Sequence, residues 1–155
     1  SEEWGPEAVR AGAIAIDNSA AFRMSPEHAL VVPEVNAHRL PRRDRPALIA
    51  NPNCSTIQLV VALNALKKFG LKEVRVASYQ SVAFNCIPQI GSFNQTGFCS
   101  EETKIMRETK KILELPDLKV SAFTVRVPGL NSHSEAVWVT FDRGVAREEI
   151  VECLR

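Results

Sequence analysis

The residues best placed to do chemistry lie in the segment Asn51-Pro52-Asn53-Cys54-Ser55-Thr56. A strand-like run, Ala47-Leu48-Ile49-Ala50, leads into it, and the apolar stretch from Ile57 to Leu66 reads as a helix. Cys54 is therefore expected at or near a helix N-terminus, where unpaired N–H groups and the helix dipole favour negative charge. A thiol so placed ionises more readily than a free cysteine, which makes Cys54 a candidate nucleophile. The same helix start suits a phosphate. The plainer alternative is a small buried hydrophobe with no chemical role.

Other polar residues form a second tier. Arg126 ends an apolar strand, and His133 follows seven residues later across a Pro128-Gly129 turn. Histidine is the usual general base near neutral pH, and arginine grips a carboxylate through its fork. A merely exposed turn histidine and a solvent-reaching arginine remain open. Gln80 and Tyr79, late in a strand, are packing or ligand-facing residues, and Arg23 meets an anion or solvent. Glu101, Lys104, Glu108 and Lys111 repeat at i,i+3 and i,i+4 spacing, the expected pattern of a solvated, salt-bridged helix face. The four cysteines (Cys54, Cys86, Cys99, Cys153) and three histidines lack metal-ligand spacing, so no metal site is expected. No GxGxxG loop occurs.

These residues need elements to hold them. Ala13 to Ile16 reads as a buried strand broken by Asp17-Asn18-Ser19, and Ala29 to Val32 as an apolar run closed by Pro33. The helix from about Cys54 to Phe69, with Gly70 as its C′ residue, is apolar on nearly every face through Leu63 and is expected to be buried. Val74 to Val82 alternates as a strand. Ser100 is a candidate cap for a helix from Glu101 to about Leu113, with Ile105, Thr109, Ile112 and Leu113 inward. Strands follow at Val120 to Val127 and Ala136 to Phe141, then a helix at Ala146 to Leu154. This order predicts an α/β architecture with a mixed sheet. A length of 155 residues, 45% hydrophobic content and a net charge of +1 describe an ordinary globular protein with no basic excess for nucleic acid. No apolar run approaches a membrane span, no signal peptide is seen, and free thiols in the cytoplasm are expected.

Taken together, these motifs resemble aspartate-β-semialdehyde dehydrogenase. The matching stretches are Asp17-Asn18-Ser19-Ala20-Ala21-Phe22-Arg23-Met24, Val31-Val32-Pro33-Glu34-Val35-Asn36 and Pro52-Asn53-Cys54-Ser55-Thr56. Ser78-Tyr79-Gln80-Ser81-Val82, Ala83 to Ile90, Glu101-Glu102-Thr103-Lys104 and Arg126-Val127-Pro128 with His133-Ser134 complete the set in the family's order. The resemblance implies the end of a Rossmann-type nucleotide-binding domain (1–53) followed by a glyceraldehyde-3-phosphate-dehydrogenase-like α+β catalytic and dimerisation domain (54–155). It implies Cys54 as the nucleophile that forms a thiohemiacetal and a thioester, His133 as the acid–base group and Gln80 as the residue orienting the substrate. Arg126 would hold the substrate α-carboxylate and Glu101 its α-ammonium. Arg23, Asn53 and Lys104 would bind phosphate, and Asn18 and Ser19 the cofactor, NADP. Backbone N–H groups at the helix start would stabilise the oxyanion.

The implied reaction is reductive dephosphorylation of β-aspartyl phosphate to aspartate β-semialdehyde in aspartate-family amino-acid biosynthesis, by a homodimer or homotetramer. Two departures stand out. No Gly-rich nucleotide-binding unit precedes Ser1, and Val82 abuts Ala83 where family members carry tens of further residues, so a segment is expected to be missing there. The competing readings are a sister phosphorylating reductase, acting on N-acetylglutamyl phosphate or a sugar phosphate, and a shortened homologue kept for assembly.

Overall fold

In a computed structural model, residues 1–81 and 84–155 are described. The junction of Val82 with Ala83 lies outside them.

Three short strands, β1 (Ile14–Asp17), β2 (Ala29–Leu30) and β3 (Ala47–Ala50), form a parallel sheet in the order β1-β3-β2. The expected buried strand at Ala13 to Ile16 is corrected: Ile14 and Ile16 of β1 are exposed, because one face of this small sheet is open, while Leu48 and Ala50 of β3 are buried on the other. The apolar run from Ala29 to Val32 is a strand only as far as Leu30, because the Asn36 side chain replaces a strand partner. Its Oδ1 accepts from Val32 N at 2.9 Å and its Nδ2 donates to Leu30 O at 2.9 Å. Two helices, α1 (Trp4–Arg10) and α2 (Pro33–Asn36), are absent from the sequence reading. α1 has neither a side-chain cap nor a buried residue, and α2 is a single turn, too short to show a period.

Beyond them, α3 (Cys54–Leu66) leads through a 3-10 turn to β4 (Leu71–Ser81), the centre of a second sheet. Gly70 makes this reversal at φ +77°, where a Cβ would fall 2.7 Å from Asp142 Oδ2. α4 (Ser100–Leu113) then leads to β5 (Lys119–Val127), parallel to β4, and β6 (His133–Phe141) returns antiparallel on its other side. The sheet is mixed, in the order β5-β4-β6. α5 (Arg147–Cys153) ends the chain. Leu59, Val60 and Leu63 of α3 and Ile105, Ile112 and Leu113 of α4 pack on Val74, Val76 and Ala122, and Leu30 and Ala50 join the same core.

Two further expectations are corrected. α3 is not buried all round: Gln58, Val61 and Ala62 are exposed, because the helix covers a sheet on one side only. The cap of α4 is Cys99, not Ser100. Cys99 is extended (φ −75°, ψ 163°) and Glu102 Oε2 accepts its N–H at 2.9 Å. Ser100 begins the helix, its hydroxyl directed at Ile90 O.

Candidate active site

The site is built where the first sheet hands over to the second. After β3 the chain stays extended to Asn53 (φ −61°, ψ 140°), which caps α3. Its Oδ1 accepts from Ser55 N at 3.0 Å and Thr56 N at 3.2 Å. Cys54 is thereby the first helical residue, and it is exposed.

Across from it stands His133, the first residue of β6. The thiol Sγ lies 3.2 Å from its Nε2, and its Nδ1 lies 2.9 Å from Ser132 O. A carbonyl can only accept, so Nδ1 carries a proton, which leaves Nε2 as the ring nitrogen that exchanges a proton with the sulfur. The turn that presents this carbonyl is unusual, with Ser132 at φ +73°.

Sheet register supplies the next residues. Gln80 pairs with Arg126 on one side and His133 on the other, so all three lie side by side on one face. Gln80 is buried, and both ends of its amide are engaged. Nε2 donates to Ser55 Oγ at 3.0 Å, and Oε1 accepts from Arg126 Nη1 at 3.1 Å. The guanidinium of Arg126 is thus aimed by a fixed amide.

α4 brings the charges. Glu101, at its start, is buried and accepts from Asn53 Nδ2 at 2.7 Å and Lys104 Nζ at 3.2 Å. Burial pushes the Glu101 carboxyl up, but the Asn53 hydrogen bond and the Lys104 charge outweigh it, leaving it below its ordinary value. Lys104 keeps its ammonium partly in solvent.

The solvated face expected on this helix is corrected. Glu108 is only 1% exposed, and Lys111 donates to the carbonyls of Arg23 and Ser25 at 2.7 Å each. Glu108 Oε1 accepts from Arg23 Nη1 at 3.1 Å and its Oε2 from Asn53 N at 2.7 Å. Burial holds its carboxyl above the ordinary value, against Asn53 and Arg23. Arg23, itself buried, also donates to Asn51 O at 2.9 Å and Asn18 O at 3.1 Å. A signal for Glu108 exists in the sequence. It lies three residues after Ile105 and four before Ile112, so the helical period puts it on the inward face with them.

Cys54, His133, Gln80, Arg126, Glu101 and Asn53 therefore form one connected cluster, with Lys104 attached through Glu101. Arg23 stands one step behind, through Glu108. Asn18 and Ser19 follow β1: Asn18 Oδ1 accepts from Asn51 Nδ2 at 2.8 Å, and Ser19 Oγ donates to Asp17 Oδ2 at 2.6 Å. These neutral amides and hydroxyl sit at the carboxyl ends of β1 and β3, where open parallel sheets bind nucleotides. Among the described residues, no three His, Cys, Asp or Glu side chains gather as a metal site, and no helix is long and apolar enough to cross a membrane.

A parallel α/β unit that feeds a cysteine-headed helix into a mixed-sheet unit matches two family models. Residues 1–42 match the semialdehyde dehydrogenase NAD binding domain and residues 59–155 the semialdehyde dehydrogenase dimerisation domain. The chain belongs to the semialdehyde dehydrogenase family. Among its relatives, the aspartate-semialdehyde dehydrogenase of Bacillus subtilis is 40% identical over 195 residues, covering 99% of this chain and 56% of the relative. That of Aquifex aeolicus is 37% identical over 190 residues, covering 100% and 56%. Aspartate semialdehyde dehydrogenase II from Vibrio cholerae, whose crystal structure superposes with a TM-score of 0.94 at 35% identity, covers 99% of this chain, which spans 56% of it. The same Vibrio enzyme is also solved complexed with ASA. The Candida albicans enzyme, solved with NADP, has a TM-score of 0.84 at 26% identity, with 99% and 51% coverage. The chain thus spans little more than half the length of these relatives.

Proposed function

We propose that the full-length protein is an aspartate-semialdehyde dehydrogenase working through Cys54, and that these residues carry most of its acyl-transfer machinery. The observation that carries the reading is the Cys54 thiol 3.2 Å from His133 Nε2 at a capped helix start. Proton transfer from Sγ to Nε2 gives a thiolate favoured by the helix dipole.

In the proposed reaction, Arg126 receives the α-carboxylate of β-aspartyl phosphate and Glu101 its ammonium. The thiolate attacks the acyl carbon, the C–O bond to phosphate breaks, and a thioester on Cys54 results. Ser55 and Thr56 N–H are held by Asn53, which leaves the Cys54 N–H of the first turn for the oxyanion. Lys104 is the solvent-facing cation for the departing phosphate. Arg23 and Asn53 support that pocket from behind, since their own polar groups are occupied. Asn18 and Ser19 are among the residues that would hold the reduced cofactor, NADPH, which when bound would supply the hydride for reduction of the thioester and leave as NADP+. His133 then manages the proton as the thiohemiacetal releases the aldehyde and the thiolate returns.

The NAD binding match and the NADP-bound Candida relative support the cofactor; the dimerisation match supports a homodimer or homotetramer. Phe123 and Trp138, exposed on the sheet face away from the helices, suit a contact between copies. We place the boundary between the nucleotide-binding and catalytic units at 53/54, where the parallel sheet ends and α3 begins. The alignment of 195 residues against a chain of 155 supports a missing segment, which we place at 82/83. The four free cysteines suit a cytoplasmic enzyme.

The test is NADP reduction by the full-length protein with aspartate semialdehyde and phosphate, run beside N-acetylglutamate semialdehyde and a sugar-phosphate aldehyde. Phosphate-dependent turnover of aspartate semialdehyde, abolished in Cys54→Ala, is expected. Preference for another aldehyde, or activity that survives Cys54→Ala, overturns the proposal.

A further inference from the structure

The thiol–imidazole pair is the first of two rungs. Gln58 follows Cys54 by four residues on α3, and Glu135 follows His133 by two on β6. Four helical residues rise about 6 Å and two strand residues about 6.6 Å, so the two elements stay in step. Cys54 faces His133, and one step further Gln58 and Glu135 line the mouth of a groove of about 520 Å³ between α3, β6 and α5. The rest of the groove is mainly apolar: Ala62, Leu66, Val137, Val139, Phe141 and Ile150. Glu135 Oε1 is buried there with no hydrogen-bond partner. A carboxylate so placed is poorly solvated, and its field acts strongly on a neighbouring ionisable group.

We propose that Glu135 is a positioning residue that stabilises the protonated imidazole of His133, and through it the thiolate of Cys54. The inference rests on the thiol–imidazole pair proposed above. Burial lifts the carboxyl of Glu135, while Gln58 and the charge of His133 hold it down. No competing charge lines the groove among the described residues. α3 offers Cys54 and Gln58, α5 offers Ile150 and Leu154, and β4 offers Ser78 and Gln80, with Arg126 engaged behind Gln80. With the carboxylate in place, proton transfer from Sγ to Nε2 is downhill relative to the same step without it. The position is readable by period two, since Glu135 shares the groove-lining face of β6 with Val137, Val139 and Phe141.

The test is the rate at which iodoacetamide alkylates Cys54 in the full-length protein, followed by peptide mass spectrometry. The thiolate forms the S–C bond and iodide leaves. At pH 7, Glu135→Gln is expected to slow Cys54 about tenfold, the lower end of what a nearby opposite charge does. Alkylation of exposed Cys86 serves as the internal control and stays unchanged. At high pH, where the thiol ionises without help, the variant recovers the wild-type rate, which structural damage would not allow. If Gln fails to fold, Glu135→Asp withdraws the charge by one methylene, and a smaller slowing of the same kind is expected. An unchanged Cys54 rate in the folded variant overturns the role of Glu135, provided His133→Asn slows it. If His133→Asn leaves the rate unchanged as well, the thiol–imidazole pair itself is refuted.

Discussion

Replacing Glu108 by Gln removes one charge and one acceptor from a site that contains only donors. The carboxylate accepts from Arg23 at 3.1 Å and from the Asn53 N–H at 2.7 Å, and it is 1% exposed. A glutamine has a single acceptor oxygen, so its amide N must face either the guanidinium or the backbone N–H. One charge-assisted hydrogen bond, about 1.5–3 kcal/mol, is lost, and a buried donor is left without a partner. Breaking a buried ion pair by removing one partner typically costs about 3–5 kcal/mol, but the bond that Gln retains and the burial that already holds this carboxyl above its ordinary value offset part of it, leaving about 2 kcal/mol. Urea unfolding of the full-length variant, with the slope unchanged and the midpoint lowered, measures this. The double variant Glu108→Leu/Arg23→Met, which removes both charges, is expected to recover much of the loss. A Glu108→Gln variant within about 0.5 kcal/mol of wild type refutes the reasoning, because it would mean that the pair is solvated or unformed.

Asn53→Ala removes the cap of α3, about 1 kcal/mol, together with the bond to Glu101; reduced stability by urea and slower Cys54 alkylation are both expected. Arg126→Lys keeps the charge but not the fork, so KM for aspartate semialdehyde should rise at least tenfold, with a smaller change in kcat. The carboxyl of Glu101 is lowered, so its contribution is fully present above the ordinary value of 4.5 and is lost as pH falls through its folded value. Acid unfolding curves of Glu101→Gln should therefore be flatter than wild type below about pH 4.5, as followed by circular dichroism.

Much of this was legible in the sequence, for local reasons. The helix start at Cys54 follows from Asn53 before a long apolar run, β3 from a short apolar run, and β4 to β6 from branched and aromatic residues in short stretches. Other features depend on partners far along the chain. Nothing near Asn36 tells that its amide will end β2, and α1 buries too little to show a face. The charged pattern of α4 misled because i,i+4 spacing is equally compatible with solvent and with donors arriving from Arg23 and Asn53. Only the placement of Glu108 between two inward isoleucines separates these cases. The likeness to a family named the residues of the site, while their convergence rests on the register of β4 with β5 and β6.

The central claim is that Cys54 becomes acylated. Full-length protein mixed with aspartate semialdehyde and NADP in the absence of phosphate, then quenched in acid, should carry an aspartyl thioester on the peptide containing Cys54. One equivalent of reduced cofactor should appear with it, and added phosphate should remove the adduct. An unmodified Cys54 after cofactor reduction, or an adduct on a different residue, contradicts the account.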